Sequence, residues 1–357
     1  MGIFAVCATG PVTGRTHLKE KESMGLVDRE RIKLVTLQRK IGPALEKVDQ
    51  EFRRITDGHS PLTREICDHI RRGKSKRFRP TLLLLAAQDG AGFVPAAITA
   101  AASVELVHTA TLVHDDFIDE AVTRRGLPAV NVKYGSSAAL IMGDYLYSKA
   151  LHNLCQAQLH HAVELLARTT VLMSEAEMLQ LEYRYDMEIS EERYMQVIYQ
   201  KTASLIENSC RIGVSFNKRL AAAEEAFGTF GSRIGMVFQI TDDIFDYLGD
   251  ERRLGKPTGQ DWEEGRITLP LIAAWRNGPS ETKRRIGELS RETDSSVRAE
   301  CWPEVKTFVT DFGGVDYAFG KARELGEQAK AALGPVASGP QKDLLAVAVE
   351  YVINRLN

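Results

Sequence analysis

Two stretches of the chain repeat one acidic pattern: Asp115, Asp116 and Asp119 in the first, Asp242, Asp243 and Asp246 in the second. Each reads D-D-x-x-D and closes a run whose apolar residues recur at helical spacing, Glu105 to Asp119 and Phe238 to Asp246. Residues four apart share a helix face with Cβ atoms about 5–6 Å apart, so Asp115 repels Asp119 and Asp242 repels Asp246. A helix C-terminus is also the negative end of the macrodipole, where a carboxylate is disfavoured by roughly 0.3–1 kcal/mol, and Asp is a weak helix former. Three local preferences are thus broken twice in the same way. A divalent cation resolves the conflict, and a donor set of carboxylate oxygens alone selects a hard ion, Mg²⁺ ahead of zinc or iron. One such cluster is as readily a solvated helix end. Two copies with one internal spacing point to a site, because departures from local rules concentrate where function demands them.

Basic residues accompany both clusters. Arg124 and Arg125 follow the first in a short loop closed by Gly126 and Pro128, and Lys256 follows the second within Gly255-Lys256-Pro257. A third group, Lys74-Ser75-Lys76-Arg77-Phe78-Arg79, precedes the helix expected to start near Pro80. Carboxylates reach a phosphate only through a metal, whereas Arg and Lys bind it directly. Each basic run alone reads as solvated surface; together with the aspartates they suggest a ligand with several phosphate oxygens, such as a diphosphate. Glu105-Leu-Val-His108 is a literal E-x-x-H, but a di-iron carboxylate bundle needs that motif on each of two helices plus two further glutamates, and no second copy is present. His114, beside the aspartates, is expected to be a hydrogen-bonding residue and not a ligand.

The elements that must position these groups are helices. From Val27 onward apolar residues step by three and four, as at Ile32, Val35, Leu37, Ile41, Leu45, Val48 and Phe52. Similar segments are expected at roughly 80–89, 95–119, 137–154, 160–182, 190–213 and 219–248, with more to Leu356. Strand-like alternation is nearly absent. Breaks coincide with Gly or Pro, at 58–61, 90–95, 126–128, 255–257 and 334–340. Residues 98–113 are apolar nearly all round, which places that helix inside a large bundle. The C-terminal helix is amphipathic and is expected to pack on the protein. The first 26 residues, with Gly10-Pro11 and the charged run Lys19 to Glu22, are read as a disordered leader, and Met24 is an alternative start. Residues 27–357 are expected to form one all-α domain.

Bulk properties narrow the classes further. The chain is 44% hydrophobic and 26% charged, with a formal net charge of −2. That balance argues against a nucleic-acid partner, since phosphate-tracking proteins carry a basic excess. Five scattered cysteines without a CxxC pair fit a reduced compartment. No apolar run is read as approaching the ~20 residues that cross a bilayer, the N-terminus lacks a signal peptide, and Val6 stands where a myristoylation pattern needs Ser or Thr. A cytoplasmic protein without a membrane span is expected.

At the residues quoted above the sequence resembles the trans-prenyl diphosphate synthases, the polyprenyl synthetase family, and among them the medium- and long-chain, octaprenyl-like members. The likeness runs from about Leu62 to the C-terminus and rests on both D-D-x-x-D segments, Arg124-Arg125-Gly126, and Gly255-Lys256-Pro257 followed by Asp261 and Thr268-Leu-Pro270. It implies an orthogonal helical bundle around a deep central cavity, a homodimer, and a transferase that condenses isopentenyl diphosphate with an allylic diphosphate, using three Mg²⁺ ions. It further implies that Asp115, Asp116 and Asp119 hold ions on the allylic diphosphate, and that Asp242 and Asp243 hold another, with Asp246 behind them in a weaker role. Arg124, Lys201 and Lys256 would touch the allylic diphosphate, with Arg266 nearby. Lys76, Arg79, His108 and Arg125 would hold isopentenyl diphosphate, and Lys201, Thr202 and Gln239 would face the developing carbocation. The sequence departs from the family where Lys74-Ser75 replaces Gly-Gly, which puts the loop's fine geometry in question. It departs again where Arg266 replaces Lys, and in the leader. A class I terpene cyclase shares the ionising aspartates but needs no second diphosphate site, and a regulatory synthase subunit would lose the aspartates.

Ionising an allylic diphosphate needs electrostatic help at the leaving oxygens and a site without water, not a side-chain nucleophile; no Ser-His-Asp or Cys-His pattern is evident. Small Ala110 and Thr111, one turn before the first aspartates, suggest an open tunnel and a longer product, with Tyr145 and Tyr147 as an alternative floor. A short-chain farnesyl or geranylgeranyl product is the competing expectation.

Overall fold

The computed structural model describes residues 34–58, 60–73, 75–89, 92–248, 258–336 and 338–356. The leader, Lys74 and Lys256 lie outside the described residues. The helices are α1 Gly42–Thr56, α2 Pro61–Arg72, α3 Phe78–Ala87, α4 Pro95–Ile118, α5 Val130–Tyr134, α6 Ser136–Gln156, α7 His160–Glu182, α8 Glu191–Ile198, α9 Ser204–Ser215, α10 Glu224–Leu248, α11 Gln260–Glu263, α12 Leu269–Asn277, α13 Ser280–Ser290, α14 Ser295–Asp311, α15 Gly314–Ala332 and α16 Pro340–Ile353. Between α4 and α5 the chain makes a two-stranded hairpin, β1 Thr123–Arg124 against β2 Leu127–Pro128. Arg125 and Gly126 at its tip both have positive φ, 54° and 78°, the pairing that a type I′ turn requires.

One buried apolar cluster runs from Leu37 to Val352. Its axis is α4, which begins with Pro95 at the first helical position and carries five alanines in its first half. Pro is preorganised for that position and Ala is the strongest helix former; the short side chains also let α6, α1 and α3 pack closely on it. The expectation about apolar runs needs correcting here. By length and composition α4 qualifies as a bilayer crossing, but 72% of its apolar window is buried in the bundle, and that surface is already used by the core.

α10 is held differently. A Cβ built on Gly231 would stand 2.7 Å from Glu207 Cα, and one on Gly235 would stand 2.6 Å from Ala203 Cα. These contacts leave no room for any side chain, so α9 and the segment before it touch α10 backbone to backbone. That segment, Tyr199–Ala203, is a π turn between α8 and α9. A π turn inserts one residue into a helix and is frequent at functional positions; this one carries Lys201 and Thr202.

Candidate active site

The first acidic motif ends α4. Asp116 is 3% exposed and accepts from Arg124 Nε at 2.7 Å, so the hairpin folds its arginine back over the helix tip. Asp119, the C-cap, pairs at 3.3 Å with Arg266, which also binds Asp261 at 3.0 Å. Asp115 is half-buried and has no such partner in direct contact. Burial, with Glu177 and Asp119 nearby, pushes its carboxyl up to about 7 despite Lys201. Lys201 itself reaches Gln180 Oε1 at 2.6 Å and Glu177 Oε1 at 2.7 Å on α7.

The second motif ends α10 and is more enclosed. Asp243 is 3% exposed and accepts from Tyr194 Oη at 2.6 Å and Gln239 Nε2 at 2.8 Å. Burial, with Asp261 and Asp242 beside it, raises its pKa well above the usual range. Gln239 also accepts from the Thr202 hydroxyl at 2.7 Å. Asp242 meets Arg355, near the C-terminus, at 3.0 Å, and that guanidinium lies 4.5 Å from the centre of the Phe238 ring. Asp246, expected behind the other two in a weaker role, turns to the backbone: its oxygens accept the N–H of Gln260 at 3.2 Å and of Asp261 at 3.0 Å. It is a cap on α11, because the orphan N–H groups of a helix start attract a carboxylate.

Two connections join the motifs. Arg266, twenty residues beyond the second, touches Asp119 of the first. The other runs through the π turn, where Lys201 stands beside Asp115 and the next residue, Thr202, bonds Gln239 and through it Asp243. The two helix tips therefore face a shared space.

A half-buried basic pocket adjoins it. Arg79 on α3 lies 3.1 Å from His108 Nε2; its Nε–H is buried without an acceptor, and burial drives the guanidinium down to about 10. His108 is held well below its usual value by burial and by the Arg79 charge, which keeps the ring neutral. Arg125 packs on the other side, its Cβ and Cδ each 3.5 Å from a Cβ built on Gly73. A buried, under-satisfied arginine is a strong anion attractor. Between α2, α4 and the hairpin runs a pocket with Asp116, Arg124 and Arg125 at one part and Thr109, Leu112 and Val113 along α4.

Most sequence-derived residues thus converge. Lys76 is exposed on the loop before α3, and Lys256 lies outside the described residues. His114 packs its ring over Gly143, where a Cβ would clash at 2.1 Å, and bonds Leu140 O at 3.1 Å, in keeping with a hydrogen-bonding role. Tyr145 leans on the Gly58–Thr63 turn, while Tyr147 shares a 2.5 Å hydrogen bond with Thr170 of α7. Sequence reasoning missed Glu177, Gln180, Tyr194 and Arg355, and it quoted Asp261 without giving it a role. None sits in a recognisable motif, and only tertiary contact reveals them.

As to metals, among the described residues no three His, Cys, Asp or Glu side chains are grouped tightly enough to hold an ion alone. That still fits a hard cation, since Mg²⁺ is usually held by one or two carboxylates plus waters and substrate phosphates. The donors at Asp115, Asp116 and Asp242 are carboxylate oxygens, and Asp115 is pushed up first by burial and then by Glu177 and Asp119.

An all-helical bundle with two acidic helix tips facing a half-buried arginine pocket defines a class of enzyme built for polyanionic ligands. The chain belongs to the polyprenyl synthetase family, whose profile matches residues 60–303. It is 33% identical over 310 residues to the octaprenyl diphosphate synthase of Haemophilus influenzae, covering 87% of this chain and 93% of that one. It is also 33% identical over 286 residues to the geranylgeranyl diphosphate synthase of Methanosarcina mazei, covering 78% of this chain and 86% of that one. Among solved structures, a polyprenyl synthase from Caulobacter crescentus, complexed with calcium and isoprenyl diphosphate, superposes with a TM-score of 0.82 at 28% identity, over 90% of this chain and 98% of that one. The helical bundle is accordingly the isoprenoid synthase fold expected from the sequence.

Proposed function

We propose that this protein condenses isopentenyl diphosphate with an allylic diphosphate to give a longer trans-polyprenyl diphosphate. The observation that carries the reading is the pairing of two chemically different diphosphate environments across one space: aspartates at two helix tips, and a metal-free pocket formed by Arg79, neutral His108 and Arg125. A cyclase has use for the first environment only.

Asp115, Asp116, Asp119, Asp242 and Asp243 would hold Mg²⁺, with Asp246 fixing α11 behind them. The bound ions supply charge neutralisation at the leaving diphosphate. Arg124, placed on Asp116 by the hairpin, adds guanidinium donors at the same edge, Lys201 beside Asp115 adds an ammonium, and Arg266 holds Asp119 in register; Lys256 would join them on the strength of its motif. Arg79, Arg125 and Lys76 clasp the isopentenyl diphosphate, and His108, kept neutral, orients Arg79. The Thr202 hydroxyl and the Gln239 side-chain oxygen, joined at 2.7 Å between the two tips, would face the allylic carbon as positive charge grows on it, and their dipoles would stabilise it without trapping it. The isopentenyl double bond attacks that carbon, the new C–C bond forms as the allylic C–O bond breaks, and the proton lost passes to the departing diphosphate. The apolar walls exclude water.

A medium- or long-chain product is favoured by Ala110, which is 3% exposed on the core face of α4 and offers no bulk below the aspartates. Thr111 turns its hydroxyl to His108 O at 2.9 Å. Ala110→Phe should shorten the product by at least about one five-carbon unit; an unchanged length by chromatography after dephosphorylation would reject an open tunnel at this position. A homodimer is favoured by an apolar stripe on α7, Val171, Met178 and Leu181, with Ile141 of α6 also exposed at 67%, and sedimentation would test it. The composition favours a cytoplasmic protein.

The deciding assay supplies labelled isopentenyl diphosphate with each allylic primer, Mg²⁺ present or chelated. Elongated diphosphates only with Mg²⁺ are expected. A cyclic hydrocarbon without elongation, or elongation in excess chelator, would overturn the reading.

A further inference from the structure

The loop before α3 is where this chain departs from its family's Gly-Gly, and the structure fills that departure with contacts. Ser75 Oγ donates to Glu105 Oε1 at 2.8 Å and accepts the Arg77 backbone N–H at 3.3 Å. Arg77 sends Nη1 to the same Glu105 oxygen at 2.7 Å and Nε to Asp49 at 2.8 Å, with its guanidinium 5.5 Å from the centre of the Phe52 ring. Gln38 holds the loop from outside, donating to Lys76 O at 2.7 Å. Arg77 sits at φ 49°, a left-handed conformation that a non-glycine residue adopts only when its surroundings enforce it.

Glu105 is 1% exposed. It lies one turn before His108 on α4 and faces three arginines, pairing with Arg77 and lying close enough to Arg79 and Arg125 to be the leading opposing charge on each. A buried carboxylate among arginines needs partners and gives them fixed positions. Here the partners are the two loop residues that flank Lys76.

We propose that Glu105 is a positioning residue for isopentenyl diphosphate: through Ser75 and Arg77 it clamps the loop so that Lys76 and Arg79 present their charges at one spacing. Ser75 replaces glycine's freedom with a hydrogen bond to a buried anchor, and the left-handed turn at Arg77 aims Arg79 back toward His108. Neither Glu105 nor Ser75 touches the ligand in this scheme. Glu105 also moderates the charge of three neighbouring guanidiniums until a diphosphate arrives.

This inference rests on the synthase reading, and the test separates the two. Wild type, Glu105→Gln and Ser75→Ala are assayed with each substrate varied in turn, and binding of isopentenyl diphosphate and of inorganic diphosphate is measured by calorimetry without metal. For Glu105→Gln the KM for isopentenyl diphosphate should rise about tenfold, the loss of one buried charge-assisted contact, while kcat and the allylic KM stay within about threefold. Ser75→Ala should raise the same KM about threefold. Equal rises in both KM values, or a fall in kcat and melting temperature alone, would mean a merely structural role and overturn the proposal. If Glu105→Gln fails to fold, Ser75→Ala decides, and an unchanged KM rejects the clamp. If wild type elongates no primer, the synthase reading fails instead, and the clamp then stands or falls on weaker calorimetric binding by the variants.

Discussion

The two acidic helix tips share a sequence pattern and little else. At the end of α4 the carboxylates are matched by charge: Asp116 by Arg124, Asp119 by Arg266, and Asp115 by the nearby charges of Lys201 and Arg124 without direct pairing among the described residues. At the end of α10 Asp242 keeps a charged partner, Arg355, but Asp243 is matched by neutral donors, Tyr194 and Gln239, in a fully enclosed place, and Asp246 accepts the backbone N–H groups that start α11. The first tip is an adjustable wall whose guanidiniums come from a hairpin and a loop. The second is a fixed wall, preorganised by hydrogen bonds that do not depend on cation or substrate. Charge-paired groups can exchange partners when a ligand arrives, whereas dipoles already aimed need no rearrangement.

The comparison is broken most severely by neutralising one carboxylate on each wall. Asp116→Asn and Asp243→Asn should each lower kcat by about a thousandfold or more, yet their effects on stability should differ. Burial disfavours both charges, but Asp116→Asn also leaves Arg124 without its counter-ion, whereas Asp243→Asn strands only neutral donors. Equal losses in melting temperature would show the two walls to be alike. Next comes Tyr194→Phe, which deletes a donor to Asp243; a loss of about 1–3 kcal/mol in urea unfolding is expected, with kcat down about tenfold. An unchanged kcat would mean that the fixed wall does not need its hydroxyl.

The adjustable wall can be sharpened by pH. The Asp115 carboxyl is raised from 3.8 to about 7 in the metal-free fold. Between those values the folded chain holds a proton that the unfolded chain has released, so this contribution to stability is complete below about pH 4 and is lost as pH rises through 7. The rise in melting temperature on adding Mg²⁺ should therefore be larger at pH 8 than at pH 6, by a few degrees; a pH-independent rise would refute the assignment. The smallest effect belongs to Arg355→Gln. It frees Asp242 from a competing cation, and Mn²⁺ binding without substrate should tighten about threefold.

Much of this was legible in the sequence because it rests on local chemistry. Period-3.6 patterning located the long helices, and α7 was expected at 160–182 as found. The aspartates declared themselves by breaking helix-end preferences. Illegible parts depended on backbone detail or distant partners. The helix expected at 190–213 is interrupted, because one extra residue at Tyr199–Ala203 barely changes apolar spacing yet rotates Lys201 and Thr202 relative to what precedes them. The segment expected from 219 begins at Glu224, since Ala221–Ala223 form a short 3-10 turn. The hairpin was invisible because two-residue strands carry no alternation to detect. The resemblance set Asp246 behind its neighbours, but its capping of α11 depends on a segment fourteen residues away, and Tyr194 stands 49 residues from the carboxylate that it supports.

Arg298 carries a last consequence. It is fully buried on α14, 3.8 Å from the centre of the Trp262 ring, and donates to the carbonyl oxygens of Trp262 at 2.6 Å and Ser290 at 3.0 Å. Trp262 belongs to α11, the short helix whose first turn rests on Asp246. One guanidinium thereby ties α14 to the short helix that rests on the tip of α10. Heritable defects in prenyl elongation should accordingly turn up far from any substrate, as heat-sensitive alleles at Arg298 whose enzyme works at low temperature and fails on warming.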